Sequence, residues 1–193
     1  AEQNAAAAVD PRVRLIVEDG RNHVATTTET YDVIVADLFF PMSSGSSALY
    51  SQEHFTACLQ RLAPGGLMVQ WLPLHQLSGD EIRTIARTFS SVFSHTSLWL
   101  GMVGESSPAV GCVGSRHEPL VDLQALEWDA STPHVAESLR QVGLGDPKQL
   151  LSLFIMQGAA LERFVAGAPL ETDDQPVIEL GNPLLATSYA ARG

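Results

Sequence analysis

An open α/β sheet, mostly parallel and covered by helices, is the fold that the sequence predicts, and three observations predict it. Short β-branched runs alternate with segments of helical periodicity as far as about Arg116, the alternation expected of β-α-β units. The run YDVIVA at residues 31–36 is apolar at almost every position, as in a parallel strand buried on both faces. Chain breakers, Asp19-Gly20 and Pro64-Gly65-Gly66 among them, fall between the runs rather than inside them.

The elements follow in order. Residues 14–17 (RLIV) form an expected first strand that stops at the Asp19-Gly20 turn. Residues 31–36 form a central strand ending at Asp37. Phe55, Leu59 and Leu62 stand at helical spacing, predicting a helix over 51–62, and the next strand covers 67–72 (LMVQWL). Residues 80–93 make a second helix, with Ile82, Ile85, Ala86, Phe89 and Phe93 on one face. Residues 97–100 and 109–113 close the sheet as a strand pair, the antiparallel edge that such sheets often carry. Beyond Arg116 the pattern turns helical, with short helices expected at 120–126, 135–142, 148–156 and 159–165 and an extended segment at 172–180. Residues 1–116 are therefore assigned to the sheet domain and 117–193 to a helical appendage. The alanine-rich run 1–8 reads as the tail of a helix ended by Asp10-Pro11, so the sequence is expected to begin inside a longer protein.

Composition narrows the function. The 193 residues carry a net charge of −11 and a single lysine, Lys148. Such a surface repels phosphate backbones and argues against nucleic acid. It suits a cationic substrate of the polyamine type, although acidity also serves solubility. Hydrophobic residues reach 45%, enough for a packed core. Cys58 and Cys112 fit no metal-ligand spacing and are expected as two buried free thiols. His23, His54, His75, His95, His117 and His134 are dispersed, with no pair at metal-binding helical spacing. No serine sits in a GxSxG elbow, which argues against a hydrolase, and no apolar run has the length of a membrane span. Trp71, Trp99 and Trp128 are expected in the core.

Ligands of open α/β sheets bind beyond the carboxyl ends of the strands. Asp19-Gly20, Asp37 and Gln70 are each placed there by the apolar run before them. Asp37 precedes Leu38, Phe39, Phe40 and Pro41, so its carboxylate is expected in a partly apolar cleft, placed to bind an ammonium group and take its proton. Asp173-Asp174 reads as a capped turn or, alternatively, as the lining of a cation pocket.

These residues carry a resemblance. Asp10-Pro-Arg-Val-Arg-Leu, Asp19-Gly-Arg, Tyr31-Asp-Val-Ile-Val-Ala-Asp37, Leu49-Tyr50, Leu62-Ala-Pro-Gly-Gly and Gln70 resemble the spermidine/spermine synthase family in order and spacing. Gln70-Trp71-Leu72, the Thr88-Phe89…Val92-Phe93 run and Thr172-Asp-Asp-Gln-Pro-Val-Ile-Glu look like its bacterial subgroup often fused to a membrane region. The resemblance implies an S-adenosylmethionine-methyltransferase-like Rossmann fold, here lacking its N-terminal strands. It also implies aminopropyl transfer from decarboxylated S-adenosylmethionine to a polyamine, without a metal. Carried over by position, Asp19 and Gly20 bind the nucleoside, Asp37 activates the amine, and Gln70 and Tyr50 contact the substrate. A cytoplasmic domain is expected, in a parent protein that the subgroup's membrane fusions would attach to a membrane. A homo-oligomer is expected because a sheet deprived of its first strands exposes an edge.

Two departures accompany it. The family usually has a second acidic residue three positions after the catalytic aspartate, where this sequence has Phe40. The family's glycine-rich first turn and ribose-binding acidic residue lie upstream of the position of Asp10, and no such motif occurs here, so the chain alone is expected to be inactive. A methyltransferase of the same fold and a non-catalytic polyamine- or partner-binding module remain as alternatives.

Overall fold

Alternation along one long strand decides how the sheet is covered. In β2 (Leu62–Pro73), Met68, Gln70 and Leu72 are fully buried, whereas Leu67, Val69 and Trp71 between them are only half-buried. Successive strand residues point to opposite faces, so one face of the sheet is sealed by helices and the other less so. The computed structural model describes residues 9–37, 46–102, 108–119 and 123–180. Five strands form one sheet, β1 (Tyr31–Ala36), β2, β3 (His95–Met102), β4 (Pro108–Ser115) and β5 (Phe154–Gln157), in the order β1-β2-β4-β3-β5.

β1 and β2 run parallel, with Ala36 opposite Gln70. Between them the chain passes through a 3-10 turn (Ser47–Tyr50) and α2 (Gln52–Arg61), capped by the Ser51 hydroxyl. The crossover from β2 to β3 is α3 (Gly79–Val92), whose start carries a reciprocal cap: the Ser78 side chain accepts from Glu81 N–H, and the Glu81 carboxylate accepts from Ser78 N–H. β4 then folds back between β2 and β3, antiparallel to both. Only one of the four pairings is therefore parallel, and the expectation of a mostly parallel sheet is corrected to a mixed one. The β3–β4 hairpin inserts its second strand into the sheet instead of adding both strands at the margin.

The core lies between α2, α3 and the sealed face. Phe89 meets Phe55 edge-on at 5.0 Å and stacks on Phe93 at 4.4 Å. Beneath them β4 must have a glycine, because a Cβ at Gly114 would stand 2.5 Å from the Phe89 ring and 2.6 Å from that of Phe93. On the opposite face, a Cβ at Gly101 would meet the Trp71 ring at 2.2 Å. Cys58 and Cys112 are both free and buried, and burial pushes each thiol up to about 12.

Several expected elements differ. Residues 14–17 join no strand ladder among the described residues, and Leu15, Ile16 and Val17 are exposed. β-Propensity needs a neighbouring ladder to be expressed, and this segment has none. Asp19-Gly20, read as a turn, opens a short helix, α1 (Gly20–Thr26). Among the described residues β1 is the edge of the sheet and not its centre, and Val33 and Val35 are more than half exposed, at 54% and 57%.

Beyond Arg116, α4 (Leu123–Ser131), α5 (Pro133–Gln141), α6 (Pro147–Ser152) and α7 (Gly158–Val165) appear. The helix expected over 148–156 stops at Ser152, and Phe154–Gln157 instead pair with β3. Phe154 and Trp99, on those two strands, meet edge to face at 5.3 Å. α7 places Leu161 and Val165 in the core, and the Arg83 guanidinium of α3 donates to Phe164 O and Ala166 O at its end. The segment expected to be extended to residue 180 ends in a helical turn, α8 (Val177–Leu180). Trp128, expected in the core, is 77% exposed on α4. No helix among the described residues is long and apolar enough to cross a membrane.

Candidate functional site

Parallel pairing places the ends of β1 and β2 on one rim. Because Ala36 faces Gln70, Asp37 continues β1 at the level of the next residue of β2. Asp37 is exposed there. The wall expected around it, Leu38, Phe39, Phe40 and Pro41, lies outside the described residues, as does the departure at Phe40. Gln70 points from β2 into the sealed face and is fully buried. Its amide Nε2 donates to Trp71 O at 3.1 Å, while Oε1 is buried with no hydrogen-bond partner among the described residues. A buried carbonyl oxygen left without a donor costs about 1–3 kcal/mol.

Asp19 caps α1, its carboxylate accepting from Asn22 N–H at 2.9 Å, and Gly20 is the first helical residue. This end of α1 lies near the N-terminus of α2: Arg21 donates to Ala48 O, just before α2, and its partner Asp173 gives its N–H to the Glu53 carboxylate in the first turn of α2. The chain leaving the carboxyl end of β1 leads into that same N-terminus. Tyr50 closes the 3-10 turn beside it, but its side chain is fully buried within the core. The register thus joins Asp37 to Gln70, and the α1–α2 contact brings Asp19 and Gly20 towards the start of α2. Tyr50 faces the interior.

Two residues that sequence reasoning gave no role, Arg21 and Glu171, complete the surroundings together with Asp173. Arg21 donates to Ala48 O at 3.2 Å and pairs with Asp173. Asp173 reads as the turn residue that was expected, with its N–H given to the Glu53 carboxylate at 3.1 Å. Burial pushes the Asp173 carboxyl up, but the Arg21 guanidinium and the Ser51 hydroxyl outweigh it and hold the group below the usual range. Glu171, almost fully buried, accepts from Ile178 N–H at 2.9 Å, and burial pushes its carboxyl up. The only sequence signal for the Arg21 pair was the TDDQP run itself.

His54 is also buried, with Cys58 Sγ 3.6 Å from its Nε2 at i+4 on α2. Burial, reinforced by the Arg21 charge, pushes its imidazole down to about 4, against the opposing pull of Asp173 and Asp19. Both partners are then neutral at pH 7, so the pair is no thiolate–imidazolium nucleophile. The folded pKa is depressed from the ordinary 6.5. The unfolded chain therefore binds more protons between those values, and stability present above pH 6.5 is lost as pH falls towards 4. The shift corresponds to about 3 kcal/mol. Urea melts at pH 7 and pH 4.5 should show wild type losing stability more steeply than His54→Gln; parallel losses would contradict a neutral buried imidazole.

Among the described residues no group of three His, Cys, Asp or Glu side chains is placed to hold a metal ion. A cavity of about 450 Å³ lies between the start of α3 and the C-terminal segment, lined by Ser78, Asp80, Glu81, Arg83 and Ile178, and none of the predicted site residues lines it. A smaller one, about 330 Å³, is bounded by Arg21, Ser47, Asp173 and Glu179, beside the end of α1 that Asp19 caps.

Comparison with known proteins bears on the family and the fold. Residues 2–110 match the family described as the spermine/spermidine synthase domain. Polyamine aminopropyltransferase 1 of Pseudomonas aeruginosa is 38% identical over 87 residues, 44% of this chain and 29% of the relative. The polyamine aminopropyltransferase of Klebsiella pneumoniae is 36% identical over 96 residues, 50% of this chain and 33% of the relative. Among solved structures, the spermidine synthase of Thermotoga maritima superposes with a TM-score of 0.58 at 17% identity, covering 85% of this chain and 52% of that one. A probable spermidine synthase from Corynebacterium glutamicum gives 0.54 at 21% identity, covering 85% and 55%. The chain spans about a third of the curated relatives and about half of the solved chains. The likeness to the solved chains establishes a spermidine-synthase-like α/β fold.

Proposed function

The chain belongs to the spermine/spermidine synthase domain family, and from that premise we propose that it is a portion of an aminopropyltransferase domain. The proposed reaction moves an aminopropyl group from decarboxylated S-adenosylmethionine to a polyamine. A spermidine synthase of the same fold has been solved with the transition-state analogue AdoDATO, and a nucleoside with an aminopropyl sulfonium is proposed for this chain too. The amine nitrogen attacks the aminopropyl carbon bonded to sulfur. The C–S bond breaks with its electron pair going to sulfur, so methylthioadenosine leaves. The proton released from the attacking nitrogen passes to the Asp37 carboxylate, a proton acceptor at the strand end. Asp19 accepts from the adenine amino group, with Gly20 giving the backbone room beside it.

One observation carries this reading: Gln70 Oε1, buried with no hydrogen-bond partner among the described residues, at the level of Ala36 and one step from Asp37. A buried acceptor without a donor fits a site whose missing partner is an ammonium or amine N–H of the substrate. The acidic surface supports the same substrate class by drawing cations to it. We place the reaction in the cytoplasm. The 193-residue chain alone is proposed to be inactive, because it contains no glycine-rich nucleoside cradle.

Product analysis with the full-length protein is the test. Methylthioadenosine formed on incubation with decarboxylated S-adenosylmethionine and a polyamine supports the reading. S-adenosylhomocysteine formed from S-adenosylmethionine would make the domain a methyltransferase, and neither product, with polyamine binding retained, would leave a binding module.

The free side of β1 has a consequence for assembly. An edge strand with exposed Val33 and Val35 offers unpaired backbone groups and apolar surface, and we propose that the isolated chain pairs with a second copy there. Light scattering across a concentration series should show a dimer that Val35→Lys dissociates. A monomer at every concentration would contradict this.

A further inference from the structure

Residues 171–178 form a clasp that reaches from the interior to the helix bearing Asp19. Its base is buried: Glu171 N–H donates to the Thr88 hydroxyl of α3 at 2.9 Å, and Glu171 O accepts from Gln52 N–H at the start of α2, also at 2.9 Å. The Glu171 carboxylate closes the loop on itself through Ile178 N–H. The turn between them is held by reciprocal backbone bonds of Thr172 and Gln175 and by the Thr172 hydroxyl, which accepts from Gln175 N–H at 3.1 Å. At its tip Asp173 pairs with Arg21, across 152 positions of sequence. Arg21 is the second residue of α1, and the carboxylate that caps that helix is Asp19.

α1 has only seven residues and buries none of them fully. So short a helix is marginal by itself, and its placement has to come from tertiary contacts. Arg21 supplies two at once, to Ala48 O and to Asp173, and Arg61 Nε adds a third by donating to Val24 O. Of these the Arg21–Asp173 pair is the one that joins the first turn of α1 to the clasp, whose base is held to α2 and α3 through Glu171.

We propose that Asp173 is a positioning residue for nucleoside binding: through Arg21 it fixes the first turn of α1 and thereby the orientation of the Asp19 carboxylate. The inference rests on the proposed role of Asp19. Asp173 touches no reacting atom in this scheme. Its contribution is to hold one charged partner in a defined place, so that the Asp19 cap does not fray before the ligand arrives. Glu171 has a different part, as the buried foot of the clasp, and its loss would loosen α3 and α8 as well.

The test uses the full-length protein with methylthioadenosine as probe. Asp173→Asn should weaken methylthioadenosine binding by about five- to tenfold. The KM of the acceptor amine and kcat at saturating nucleoside should stay within about twofold, a split that general destabilisation does not produce. Asp173→Glu, which keeps the charge, should retain wild-type affinity, and the exchanged pair Arg21→Asp with Asp173→Arg should recover most of the loss. In parallel, hydrogen exchange at Asn22 N–H, the amide held by Asp19, should speed up in Asp173→Asn while amides of α2 and β2 stay protected. Unchanged affinity in Asp173→Asn, or an equal loss in Asp173→Glu, would overturn the proposal. So would unchanged exchange at Asn22. If wild type binds no methylthioadenosine, the aminopropyltransferase reading fails, and the exchange measurement alone decides whether the clasp orders Asp19.

Discussion

Asp37→Asn is expected to lower kcat/KM for aminopropyl transfer by about 10²–10⁴-fold in the full-length protein, with methylthioadenosine affinity unchanged. The substitution keeps the shape of the side chain and removes only its capacity to hold a negative charge and take a proton. Asp37 is exposed at the end of β1, so no buried packing is disturbed and the melting temperature should hold. Steady-state kinetics at varied amine, with calorimetry of nucleoside binding, measures both arms. A loss smaller than about threefold would remove Asp37 from proton transfer and leave it a surface residue at a strand end.

Phe89→Ala is expected to cost about 3–5 kcal/mol of folding stability. Phe89 is fully buried and touches both Phe55 and Phe93, and the chain has kept a glycine at 114 to admit its ring. Removing the ring leaves a void bounded by two further aromatic rings and by β4, whose backbone cannot close in without breaking its ladders to β2 and β3. Urea denaturation should show a lower midpoint with an unchanged slope. A cost below about 1 kcal/mol would mean that the α3–sheet interface is not the centre of the core.

The parts of this architecture that periodicity dictates were legible in the sequence. Of the face expected on α3, Ile85, Ala86 and Phe89 are buried, as is Phe93 at the helix C-cap, and Ile82 is half-buried. The Pro64-Gly65-Gly66 break was expected to separate helix from strand, yet β2 already begins at Leu62 and carries these residues within it. Asp37 was expected at a strand end and follows β1 directly, whereas Gln70, expected near the end of its strand, lies within β2 opposite Ala36.

What failed depended on partners remote in sequence. Residues 14–17 have every local property of a strand, but a strand exists only as part of a ladder. Residues 154–157 are a strand for the converse reason: four residues in a helical-looking window are captured by the open side of β3. The Arg21–Asp173 pair and the burial of His54 are products of tertiary packing, which no spacing rule reports. Trp128 shows the limit of composition, since a large apolar ring remains exposed on α4.

The rim as a binding site is tested most directly by solving the full-length protein with methylthioadenosine and spermidine bound. The account predicts the adenine amino group within about 3 Å of the Asp19 carboxylate, with a spermidine nitrogen beside Asp37 and in hydrogen-bond reach of Gln70 Oε1. Both ligands bound away from these residues, for instance in the cavity lined by Ser78, Asp80, Glu81 and Arg83, would contradict it.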